Sequence, residues 1–97
     1  MKNPCEELFK PPESSDWNEW IHYGWKEVHA AFYDVAVHAF IIAQQLAHIR
    51  NDHNKVFLSN CALGVAYKAM GNIENAESVY RETRRWLEEE MQNNGSS

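Results

Sequence analysis

Four histidines sit on a stretch of chain with strong helical periodicity, and they are the first place to look for chemistry. His22 and His29 are seven residues apart, two helical turns along one face, with His38 and His48 further on. A metal centre built on helices needs ligands three or four residues apart, because only those side chains converge on one ion. No histidine pair has that spacing, and Glu19 with His22 lacks a second paired motif, so neither a metal nor haem is expected. Ser59 and Ser78 are isolated hydroxyls on helical stretches, read as caps or surface positions. There is no glycine-rich phosphate loop and no nucleophile with a base beside it, so the expectation is a protein that is not an enzyme and carries no cofactor.

Cys5 and Cys61 read as an incidental pair in a reducing compartment, which points to the cytoplasm. The formal charge of −5 argues against nucleic acid, since phosphate binding needs a basic stripe. The clustered cations Arg81, Arg84 and Arg85 share their helix with Glu77, Glu82, Glu88, Glu89 and Glu90, and read as a solvated face of intrahelical ion pairs. The most apolar run, residues 35–43, is too short to span a membrane and is interrupted by His38. Neither a signal peptide nor a membrane segment is expected.

The elements that must position these residues are helices. Residues 1–15, with Pro4, Pro11 and Pro12, read as an extended, flexible arm in which Leu8 and Phe9 either dock on their own domain or form a short linear motif offered to another protein; residues 16–92 form the helical domain, and 93–97 a disordered tail. Ser15 or Asp16 caps a first helix from Trp17 to about Ala30, with Glu19 placed for a capping box. A second helix follows from Tyr33 to about Arg50, then the polar loop Asn51–Asp52. The third runs from His53 to Met70, and the fourth starts after Asn72 as cap and frays near Gln92. Between Trp25 and Gln44 there is no Gly, Pro, Ser or Asn, so residues 17–50 could also form one long helix needing a partner from another molecule.

Small and large residues alternate at regular places along this frame. Leu63-Gly64, Tyr67, Gly71-Asn72, Ala76 and Tyr80 mark a helix, a turn and a second helix crossing closely where Gly64 meets Ala76. Forty residues earlier Tyr23-Gly24, Ala36, Phe40 and Leu46 hold the places of Leu63-Gly64, Ala76, Tyr80 and Trp86, so Gly24 should meet Ala36. The pattern resembles the tetratricopeptide repeat, whose usual period is about 34 residues, in a long-helix variant. The first copy departs from it: Glu27 stands where the family prefers Tyr, and Ala31-Phe32 where the turn Gly and a polar cap belong. The resemblance implies an all-α fold of two antiparallel helical hairpins, four helices in all, and a non-enzymatic adaptor or scaffold role. It also implies that the first helices of the two repeats line a partner-binding groove. By the forty-residue register its residues are Asn18, Ile21, Trp25, Val28 and His29, then Leu58, Cys61, Val65, Lys68 and Ala69. The family's clamp for a peptide carboxylate needs Lys and Asn where Ile21, Trp25 and Ala62 stand, so an apolar peptide or helix is the expected ligand, with Trp25 as anchor or else as ordinary core.

A chain of 97 residues has a marginal core, and four Trp, four Tyr and four Phe are hard to hide in two hairpins. Two repeats without a capping helix give a second expectation, a homodimer. Its interface would be the last helix, through Ala76, Val79, Tyr80, Thr83, Trp86 and Leu87.

Overall fold

The structure, a computed structural model, describes residues 15–95, with the backbone alone over 93–95. It contains four helices: α1 (Trp17–His29), α2 (Tyr33–Ile49), α3 (His53–Ala69) and α4 (Ile73–Gly95). Successive helices pack as antiparallel hairpins, and α1 also touches α3. Residues 17–50 therefore fold as a hairpin and not as one long helix. The expected helix limits hold within one residue except at the end, where α4 runs on through 93–95. The arm's Leu8 and Phe9 lie outside the described residues.

Each helix starts on a physical signal, with one exception. The Asp16 carboxylate accepts from the backbone N–H of Asn18 at 3.0 Å, Asp52 from Lys55 at 3.2 Å, and the Asn72 side-chain oxygen from Asn75 at 3.3 Å. Phe32 occupies the same place before α2 and makes no side-chain capping bond.

The three turns share one geometry. The N–H groups of Phe32, Asp52 and Asn72 return to the carbonyls of Glu27, Ala47 and Tyr67 at 2.9, 3.0 and 2.9 Å. Those of Ala31, Asn51 and Gly71 reach Val28, His48 and Lys68 at 3.0, 3.1 and 3.1 Å. This double return is the Schellman motif, which requires a left-handed residue just past the helix. Ala31, Asn51 and Gly71 supply it with φ of 66°, 53° and 86°. The left-handed residues recur every twenty positions, so the first and third turns coincide in the forty-residue register.

The core runs along the two middle helices, α2 and α3, each packed on both sides. Ala36, Ala39, Phe40 and Ala43 are wholly buried on α2 and Ala47 nearly so. Ala36 and Phe40 form one cluster with Ala62, Leu63 and Ala66 of α3. Ala43 and Ala47 form another with Trp17 and Val56, onto which Trp20 and Trp86 pack. Small side chains on α2 let three helices approach, and the aromatics close the gaps. Full burial of the Phe40 side chain alone stabilises by about 1.5–3 kcal/mol.

The glycine gaps are filled differently from the expectation. A Cβ on Gly24 would stand closer than 3.0 Å to the Phe40 ring, and one on Gly64 equally close to the Tyr80 ring. What seats in each glycine gap is thus the aromatic four residues beyond the expected alanine. An alanine methyl is too short to fill the space that a missing side chain leaves, and a ring is not.

Candidate functional site

α1 and α3 touch, and the expected groove residues are divided between these two helices. On α1, Ile21, Trp25 and Val28 are half-buried and rest on the cluster that holds Ala62, Leu63 and Ala66 of α3. The Trp25 ring meets Phe40 edge to face at a centroid distance of 5.2 Å, so part of this side chain is core. On α3, Leu58 is 51% and Val65 40% exposed, with half-buried Cys61 between them. Asn18, His29, Lys68 and Ala69 are exposed. Burial pushes the Cys61 thiol above its ordinary value, which disfavours the reactive thiolate.

The residues expected to make a dimer interface lie mostly inward. Thr83 and Ala76 are buried, Val79 packs on the first core cluster and Trp86 on the second, and Leu87 is half-buried. The apolar stripe of α4 thus covers α3 within the same chain. Tyr80 differs, 39% exposed with its ring over Gly64. The expected ion pairs on the opposite face are also not formed. Among the described residues, Arg81, Arg84 and Arg85 are exposed and have no carboxylate oxygen within 4.0 Å. Charges on a solvated helix face remain hydrated unless a partner draws them out of water.

Among the described residues, cavities also open away from these helix faces. One of about 400 Å³ sits between the first turn and the end of α3, lined by Ala31, Phe32, Tyr33, Val35, Ala69 and Met70, with Asp34 as its carboxylate. A second, of about 330 Å³, lies between the start of α3 and the end of α4, among Phe57, Trp86, Leu87 and Met91. At its edge His53 Nδ1 stands 3.2 Å from Glu90 Oε2, and the His53 ring lies edge to face on Trp86 at 5.5 Å.

Three polar positions were not legible as structural in the sequence. Ser59, read as a cap or surface hydroxyl, is wholly buried: it accepts from Trp17 Nε1 at 2.7 Å and donates to the Lys55 carbonyl at 2.7 Å. Asn60 is buried and accepts from the Gln44 side-chain amide. Glu27 is wholly buried, and neither carboxylate oxygen has a hydrogen-bond partner. Desolvation holds its pKa above the ordinary value, against a smaller opposing pull from Lys26. The signal was present in one departure from the repeat pattern, Glu27 where an aromatic belongs. Its helical position, three residues after Gly24, puts it on the packed face.

The histidines named above, His22, His29, His38 and His48, are all exposed, and no group of three or more metal-ligating side chains forms among the described residues. No described helix is long and apolar enough to cross a membrane. Compared with known protein families, with characterised proteins and with solved structures, the chain matches none.

Proposed function

We propose that this chain is a non-enzymatic protein-interaction module of the tetratricopeptide-repeat kind, which takes an apolar peptide or helix on the face shared by α1 and α3. The observation that carries this reading is the exposure of Leu58 and Val65 on α3, together with half-buried Trp25 and Ile21 on α1, which touches that helix. Apolar side chains grouped on one face and ringed by polar ones, here Asn18, His29 and Lys68, are the usual form of a helical recognition surface. A free, partly buried Cys61 accords with action in a reducing compartment such as the cytoplasm.

The test is selection from a displayed random-peptide library with the whole chain as bait. Enriched peptides should be apolar, and Leu58→Asp should weaken their binding about tenfold or more, the equivalent of roughly 1.4 kcal/mol, while leaving helix content unchanged. Enriched peptides that bind the Leu58→Asp and Val65→Asp variants as well as the parent would contradict the assignment of this face.

A further inference from the structure

Among the described residues Glu27 is the one wholly buried side chain that can carry a charge, and neither of its carboxylate oxygens has a hydrogen-bond partner. The other buried polar side chains each have one. Ser59 accepts from Trp17, Asn60 accepts from Gln44, and Thr83 donates to the Val79 carbonyl at 2.7 Å. The ionisable groups that act on Glu27 belong to its own helix. Lys26, exposed, pulls its pKa down against the larger effect of burial, and Tyr23, one turn earlier, is itself held above its ordinary value by burial and then by the Glu27 charge. No ionisable side chain on the two helices packed against α1 hydrogen-bonds to it: Tyr33, Asp34, His38 and His48 on α2, and His53, Lys55, Cys61, Tyr67 and Lys68 on α3. The packing therefore suits the neutral acid, and a carboxylate in its place needs water.

We propose that Glu27 is a proton-operated latch on the C-terminal half of α1. With its proton, residues 25–31 lie closed on α2 and α3. When the proton leaves, this segment lifts, the carboxylate reaches water, and the rest of the bundle stays folded. Three features confine the motion to that half. The start of α1 is pinned, since Trp17 Nε1 donates to Ser59 Oγ at 2.7 Å and the ring packs with Ala43, Ala47 and Val56. Gly24, in the helix interior, is the residue of α1 with the least preference for helix and so the place where it parts most readily. Beyond the segment, Ala31 holds the left-handed position at φ 66°, where the other two turns have Asn51 and Gly71, which adopt it at lower cost. The latch is closed below about 4.5, the ordinary glutamate value, and opens as pH climbs from there through the raised one. Trp25 and Val28 ride on the segment, so on the reading given above the latch also sets whether the α1 side of the recognition face is assembled. That consequence rests on that reading; the latch itself does not.

The experiment is hydrogen exchange of the whole chain, followed by NMR from pH 4.5 to 8 with each amide corrected for its intrinsic rate, and it needs no ligand. The reporters are the N–H groups of Ala30, Ala31 and Phe32, which return to Lys26, Val28 and Glu27 at the end of α1. Their protection, relative to the amides of α3, should fall about tenfold for each pH unit between the ordinary and the raised value and then level off. Glu27→Gln should abolish the fall, and Glu27→Leu, which likewise cannot ionise, should do the same, so that either variant serves if the other does not fold. Protection that falls equally in α1 and α3 would overturn the proposal, because the proton would then act on the whole fold and not on a latch. A fall that persists in the variants would overturn it too, since another group would be responsible.

Discussion

Glu27 is the residue at which the fold works against its own stability. A carboxyl whose folded pKa lies above its ordinary value keeps its proton longer in the fold than in the open chain. Its contribution is therefore most favourable at acid pH and is lost as pH climbs from about 4.5, the ordinary glutamate value, through the raised one. Glu27→Gln, whose amide is as unpartnered as the protonated acid but cannot ionise, should match the parent in acid and exceed it at neutral pH. Urea unfolding at pH 4 and pH 7.5 checks this; a difference that does not change with pH would show that Glu27 is not held protonated. Ala31 carries a second local cost, a side chain at φ 66° where the turn asks for glycine. Ala31→Gly should raise stability by about 1 kcal/mol, less if the looser unfolded chain offsets it. Ser59→Ala should lower it by about 1–3 kcal/mol, because Trp17 Nε1–H would be left buried without an acceptor.

At the scale of the element, the two glycine seats have unequal consequences. Phe40 fills the space at Gly24 and is fully buried, so a larger residue there has nowhere to send the ring. Tyr80 fills the space at Gly64 but is 39% exposed and can swing outward. Gly24→Leu should therefore fall at or beyond the upper end of the roughly 1–3 kcal/mol usual for overpacking, and Gly64→Leu well below it. Equal losses in thermal unfolding would mean that Tyr80 is as confined as Phe40. Three helix starts could be read directly, because Asp16, Asp52 and Asn72 are capping residues. The break at 30–32 could not be read locally, since its left-handed position is an alanine and its cap a phenylalanine. Tertiary packing decides it: the alanine face of α2 is buried only if the chain folds back over α1, and that outweighs a poor turn. The burial of Ser59, Asn60 and Glu27 was hidden for a related reason. Composition marks polar residues as surface, and only the crossing of α1 and α2 over α3 shows which of them are enclosed.

For the whole molecule, much of the apolar stripe of α4 packs inside the chain, while Tyr80 stays exposed and Trp86 and Leu87 stay half-buried. On the proposed reading a partner would be taken on the α1–α3 face, where Leu58 and Val65 are exposed at positions the forty-residue register named. The register could not give the degree to which Trp25 is shared between that face and the core. Its contact with Phe40 means that Trp25→Ala should both weaken binding and destabilise the fold, so it cannot separate the two roles. Residue-resolved mapping can. When an enriched peptide is titrated into the isotopically labelled chain, the account predicts that amide shifts move at Ile21, Trp25, Leu58, Cys61 and Val65 on the two adjoining helices. Shifts confined to other surfaces, with these five still, would contradict the assignment of recognition to the α1–α3 face.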